Sequence, residues 1–208
     1  MRLYISPRAL AFGCVIFSLV LSLNLDMQQD LPQKTVSMTF YGYPDNCDST
    51  GCYGNEVAEN CKNPDGQSRN YKAGGDGSWN NPLSMVGNFK ACSIVYLPYL
   101  RKYGIIDDTC EGCGKDQMDI WVESKCSDDY GAVCDCEYSL TPDDKQTVYY
   151  NINANQGSTL PVSKGPLYNG KTEKCLNKVY GVSTSNVGMN KHRLTRRVCG
   201  NDCTCKSC

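Results

Sequence analysis

Asp119 lies in the run Met118-Asp119-Ile120-Trp121, where strand alternation puts its carboxyl group and the Trp121 indole on one face. A carboxyl beside an aromatic ring suits sugar chemistry: the apolar ring holds up the carboxyl pKa and offers a flat surface on which a pyranose stacks. Inverting hydrolysis of a glycosidic bond asks for a second carboxylate ~6.5–9.5 Å away, so one aspartate does not complete the pair. Two more aromatic residues, Tyr71 and Trp79, flank the loop Gly74-Gly75-Asp76-Gly77, a placement as apt for stacking on a glycan as for packing on a rim. The glycine loop itself lacks a strand-to-helix context and a following lysine, so it does not read as a phosphate cradle.

The cysteines offer a different chemistry. Cys110-x-x-Cys113, Cys134-x-Cys136 and the closing group Cys199, Cys203, Cys205 and Cys208 have spacings that hold metal in a reducing compartment. The N-terminus argues against that compartment. Arg2 and Arg8 precede an apolar run from Ala9 to Leu23, with small residues at Val20 and Ser22, so residues 1–22 read as a signal peptide cleaved after Ser22. The run is short of the ~20 residues that span a bilayer, and no stable membrane anchor is expected.

Behind such a leader the cysteines read as disulfides, and neither metal nor cofactor is expected. Fourteen remain after cleavage: Cys47, Cys52, Cys61, Cys92, Cys110, Cys113, Cys126, Cys134, Cys136, Cys175, Cys199, Cys203, Cys205 and Cys208. The number is even and the pairing stays open. Cysteine-protease chemistry needs a free thiolate and a histidine. His192, the only histidine, sits in the basic run Lys191–Arg197 and reads as part of a solvated loop, with Arg196-Arg197 as an alternative processing site.

The elements that must carry these residues are short. Val36–Tyr43 (VSMTFYGY), Ala91–Tyr99, the KYGIIDD segment, MDIWVE and Gln146–Ile152 are apolar or alternating and bounded by turns, as strands are. Residues 44–82 hold NPDG, GGDG and NNP, which no helix tolerates. A short helix is expected around Pro82–Phe89. Residues 23–35 read as a flexible leader, 36–181 as one β domain with its extension, and 182–208 as a basic, cysteine-rich tail. Net charge over the 208 residues is −1, but residues 164–208 carry nine basic against two acidic side chains, which leaves the preceding domain acidic. That acidity argues against a nucleic-acid partner. No Asn-x-Ser/Thr sequon occurs.

Four motifs in order carry a resemblance: Thr39-Phe40-Tyr41-Gly42, Gly51-Cys52-Tyr53-Gly54-Asn55, Ile106-Asp107-Asp108-Thr109-Cys110-Glu111-Gly112-Cys113, and Met118-Asp119-Ile120-Trp121. Together they resemble the double-psi β-barrel superfamily, whose members include expansins, barwin-like proteins, rare lipoprotein A and the related family-45 endoglucanases. The resemblance covers residues 36–140 and implies a mainly β, disulfide-rich, six-stranded double-psi barrel with a cysteine-rich C-terminal extension. It implies that Asp119 holds the position of the general acid. In the endoglucanases the second carboxylate follows the first strand in a T-x-Y-W-D pattern, whereas here Asp45 comes two residues late and Gly42 follows the expansin form. Asp48 and Asp108 are further candidates without motif support. The chain also departs from expansins in having Gln117 in the place of their histidine, and in lacking an obvious second domain with a line of exposed aromatics.

These readings lead to a secreted, monomeric barrel that binds cell-wall-type polysaccharide in a groove lined by Tyr41, Asp119 and Trp121, with Tyr71 and Trp79 as further contacts and without efficient hydrolysis. The first alternative is an inverting endoglucanase with Asp119 as acid and Asp45 as base, or a lytic transglycosylase using Asp119. The second is a defence protein, effector or protease inhibitor acting on a secreted protein partner.

Overall fold

The computed structural model describes residues 31–43, 55–110, 112–125, 129–176 and 178–181, with the backbone of Cys47–Asp48 and Gly51–Cys52. Its strands in chain order are β1 (Gln33–Tyr41), β2 (Cys47–Asp48), β3 (Gly51–Cys52), β4 (Leu83–Gly87), β5 (Ile94–Leu97), β6 (Lys102–Ile106), β7 (Gln117–Trp121), β8 (Gln146–Tyr149), β9 (Tyr168–Asn169) and β10 (Lys174–Cys175). Two helices, α1 (Tyr130–Leu140) and α2 (Ala154–Gly157), complete the set.

Six strands close into a barrel in the order β1-β7-β4-β6-β5-β8. The barrel is mixed: β1 runs parallel to β7 and β4 to β6, while the other neighbours are antiparallel. Alternation along β1 and β7 decides what faces inward. Val36, Met38 and Phe40 of β1 meet Met118 and Ile120 of β7 in the core, so Thr39, Gln117 and Asp119 fall on the outer face. The β1–β7 register sets Thr39 beside Asp119 and Tyr41 beside Trp121, and the β4–β7 register sets Val86 on the other side of Asp119.

Two expectations change, and one element was not anticipated. The short helix expected around Pro82–Phe89 is instead strand β4, because Leu83–Val86 are buried and paired between β6 and β7. The leader expected to stay flexible through residue 35 joins the fold earlier, because Gln33–Val36 pair with β8 and Leu31 is buried. Helix α1 is not among the expected elements; Asp129 caps it by accepting from Ala132 N at 2.8 Å, and Val133, Cys136, Glu137 and Leu140 form its buried face.

The cysteines do form disulfides. Cys61–Cys92, Cys110–Cys113 and Cys136–Cys175 are bonded, and Cys134 is bonded as well. Cys136–Cys175 ties α1 to β10, and Lys102 donates to Ser163 O and Gly165 O, so the segment after α2 is an extension of the barrel. The side chains of Cys47 and Cys52, whose backbones face each other across the β2–β3 hairpin, lie outside the described residues. So do residues 1–30, where a signal peptide is expected, Cys126, and residues 182–208 with His192, Cys199, Cys203, Cys205 and Cys208.

Candidate functional site

On the outer wall of β1 and β7 a chain of hydrogen bonds leads to Asp119. Gln117 Nε2 donates to Thr39 Oγ1 at 3.1 Å, and the Thr39 hydroxyl donates to Asp119 Oδ1 at 2.9 Å and lies 3.3 Å from Met118 O. Parallel pairing makes this possible, since it sets Thr39 directly beside Asp119. The Asp119 side chain is half-buried. The Thr39 hydroxyl thereby fixes the orientation of the Asp119 carboxyl on the wall.

A second acidic group stands at the end of β6. Tyr41 Oη donates to Asp108 Oδ2 at 3.0 Å, while Asp108 Oδ1 accepts from Thr109 N at 2.9 Å and Ala58 N at 3.2 Å. Burial pushes the Asp108 carboxyl up and those three donors pull it back. The Tyr41 hydroxyl is held well above its ordinary value, first by burial, then by the nearby carboxylates of Asp108, Asp107 and Asp119. Tyr41 therefore stays a proton donor at every physiological pH.

Beneath Asp108 lies a closed polar network. Asp107, fully buried, accepts from Arg69 Nε at 2.9 Å, Ser84 Oγ at 2.8 Å and Met85 N at 3.3 Å. Arg69 spends its remaining donors on Asn63 Oδ1, Pro82 O, Gly74 O and Ser84 Oγ. The turn-rich segment is thereby folded over the barrel wall and clasped to it by Glu59 N donating to Asp107 O. Burial raises the Asp107 carboxyl to about 6 despite the opposing pull of Arg69 and Ser84.

Beside these groups opens a groove of about 520 Å³. Glu59, Asn88, Phe89, Asp108, Lys115 and Gln117 are among its lining residues, and the Cys110–Cys113 disulfide forms part of its rim. The lining mixes hydrogen-bonding groups with one aromatic ring, which fits a polyhydroxylated ligand better than a purely apolar one.

The expected site residues fall in several places. Asp119 and Tyr41 come together on one wall, as their registers require. Trp121 is 1% exposed and Tyr41 8%; their rings meet edge to face at 5.3 Å inside a cluster with Tyr43, Val57, Ala73 and Val86. Neither ring offers the open stacking face expected of it, because the turn-rich segment covers them. Tyr71 is exposed, on a backbone with φ of +54°. Trp79 packs edge-on against Tyr103 and close over Gly157, in a separate cluster with Tyr96 and Leu160. Asp45 and the side chain of Asp48 lie outside the described residues. Sequence reasoning overlooked Thr39, Arg69 and Ser84. The available signal was an arginine alone among the glycines and asparagines of residues 44–82.

Among the described residues no group of three His, Cys, Asp or Glu side chains converges as a metal site, and no helix is long and apolar enough to cross a membrane.

A family model described as the DDB_G0273701 N-terminal domain matches residues 33–176, from the first residue of β1 to just past β10. The chain belongs to this family. It is 30% identical over 152 residues to the uncharacterized protein DDB_G0273701/DDB_G0273221 of Dictyostelium discoideum, an alignment that covers 68% of this chain and 60% of the relative. The chain thus spans about 60% of the length of the curated relative it matches. No solved structure matches. The DDB_G0273701 N-terminal domain, as matched here, takes in the whole barrel, the three described disulfides and both Asp108 and Asp119, and ends before the basic tail.

Proposed function

We propose that this protein is a secreted barrel of the double-psi, expansin-like type that binds cell-wall-type polysaccharide without efficient hydrolysis. The observation that carries the reading is the Gln117–Thr39–Asp119 hydrogen-bond chain on the outer barrel wall. It presents an oriented carboxylate acceptor for sugar hydroxyls, and the groove lined by Gln117 and Asp108 gives a polymer a place to lie.

Two features speak for binding over cleavage. The Thr39 hydroxyl already occupies Asp119 Oδ1, whereas a general acid must be free to reach the leaving oxygen. Asp108 already accepts three hydrogen bonds, from Tyr41, Thr109 and Ala58, which leaves it poorly placed to take a proton from water. Recognition therefore rests on carboxylate hydrogen bonds, with Phe89 in the groove and the exposed Tyr71 as the aromatic surfaces, in place of the buried Trp121.

The test is retention of the refolded chain on insoluble cellulose, chitin, xylan and peptidoglycan, with reducing ends assayed in the same tubes and Asp119→Ala alongside. Retention that weakens in Asp119→Ala, with no new reducing ends and no anhydro-sugars by mass spectrometry, is the expected result. Asp119-dependent product would move the reading to a glycosidase or lytic transglycosylase. Failure to bind any polymer would overturn the carbohydrate readings in favour of a protein partner.

A further inference from the structure

We infer that the Cys110–Cys113 disulfide is a redox-sensitive latch that sets the geometry of the groove wall. Its consequence for polysaccharide rests on the binding function proposed above; its chemistry does not.

The bond occupies the one connection that links the two acidic positions. Two residues before it, Asp108 ends the β6 side of the groove; four residues after it, Gln117 begins β7 and the hydrogen-bond chain to Asp119. Both cysteines line the groove. Cys113 also packs against the Tyr41–Trp121 cluster, so the ring presses the connection onto the ring pair whose phenol holds Asp108. Opening the bond frees this segment from its tightest constraint, and the Tyr41–Asp108 and Gln117–Thr39 contacts lose the tether between them.

The three described disulfides differ in access and in span. Cys110 is exposed and Cys113 half-buried, whereas each of the other two bonds has one buried member, Cys61 and Cys136 at 1% exposed, opposite an exposed Cys92 and a half-buried Cys175. A thiolate must reach a sulfur to attack it, and of the three described bonds Cys110–Cys113 is the one in which neither cysteine is buried. The sequence separations are 3 for Cys110–Cys113 against 31 for Cys61–Cys92 and 39 for Cys136–Cys175. A short ring removes little entropy from the unfolded chain, so the barrel stays folded when this bond opens.

The step balances with a dithiol as reductant. Its thiolate attacks Cys110 Sγ, the S–S bond breaks, and the electron pair leaves on Cys113, which takes up a proton. The reductant's second thiolate then displaces Cys110 from the mixed disulfide. The protein gains two thiols, and the dithiol departs as a disulfide with its two electrons and two protons given up.

The experiment titrates the full oxidised chain with dithiothreitol, traps free thiols by alkylation, and reads each cysteine peptide by mass spectrometry beside amide hydrogen exchange. Expected is alkylation of Cys110 and Cys113 before Cys61, Cys92, Cys136 and Cys175. At that point exchange in residues 109–117 should accelerate about tenfold while the core strands β1 and β7 keep their protection. The double variant Cys110→Ser/Cys113→Ser should show the same fast exchange without reductant and no further response to it. Alkylation of Cys110 and Cys113 together with or after the other pairs overturns the proposal, as does unchanged exchange in residues 109–117. Retention on polysaccharide, measured on the same samples, should fall several-fold on reduction and in the double variant. If no polymer is retained in either redox state, the binding function falls while the latch stands on the exchange data.

Discussion

The phenol of Tyr41 donates to Asp108 Oδ2 at 3.0 Å, joining the last residue of β1 to the loop that leaves β6. These residues are 67 positions apart, and only closure of the barrel brings them together. The bond accounts for a buried tyrosine whose hydroxyl is not wasted, and it fixes the orientation of the Asp108 carboxylate, which lines the groove.

Tyr41→Phe keeps the ring contact with Trp121 and removes the donor. The loss of one hydrogen bond to a charged acceptor is expected to cost about 1–2 kcal/mol in urea denaturation. The Asp108 carboxyl, already raised by burial, should rise further, because one of the donors that lower it has gone. An NMR titration of the Asp108 side chain reads this directly; a fall would contradict the assigned role.

Arg69→Met leaves the Asp107 carboxylate without its buried counter-ion and strips donors from Ser84 Oγ, Gly74 O and Pro82 O. Breaking such a pair from one side costs about 3–5 kcal/mol, and the midpoint of unfolding should drop accordingly. Surface ion pairs such as Lys72–Glu56 provide the contrast: Lys72→Met is expected to change stability by less than about 1 kcal/mol.

Asp107 also makes stability depend on pH. Its folded pKa, about 6, stands above its ordinary value of 3.8, so the fold binds this proton more tightly than the unfolded chain does. The contribution is fully present below pH ~4 and is lost as pH rises through ~6, for a total of about 3 kcal/mol. Unfolding free energies measured from pH 4 to pH 7 should decline, and Asp107→Asn should flatten that part of the curve. A slope unchanged in the variant would assign the dependence to other groups.

Gly42→Ala tests why the first motif ends in glycine. A Cβ there would meet Ser124 Oγ, lie 2.8 Å from Val122 Cγ2 and 3.1 Å from Glu137 Oε1. Overpacking of this kind is expected to cost about 1–3 kcal/mol, with the same spectroscopic signature of the folded state.

Replacing Cys136 and Cys175 by alanine frees α1 from β10. Their bond closes a long loop, so its removal should lower stability by about 4 kcal/mol on the chain-entropy estimate. Thermal unfolding of the double variant checks this figure against the smaller effect expected from Cys110→Ser/Cys113→Ser.

Much of the fold was legible locally. Val36, Met38 and Phe40 alternate with Ser37 and Thr39, and Met118 and Ile120 with Asp119, because a strand with one face in a core must do so. The crowding of glycine, proline and asparagine between residues 44 and 82 excluded a helix there, and the cysteine content called for disulfides, three of which are now paired. Helix α1 and strand β4 were not legible, because short segments take their conformation from what they pack against: α1 from the barrel wall and the Cys136–Cys175 bond, β4 from β6 and β7.

Burial was the other quantity that local pattern could not supply. Sequence alternation placed Trp121 and Asp119 on one face and Tyr41 at the end of its strand, which is all that a period of two can determine. Whether that face met solvent depended on residues 57–73, which fold back over it and hold their place through Arg69, buried against Asp107 and Ser84. The same long-range closure selected Asp108 as the partner of Tyr41. Strand residues are specified by their neighbours in sequence; exposure, ion pairing and the company of one carboxylate with another are set by contacts between distant segments, and these exist only once the barrel has closed.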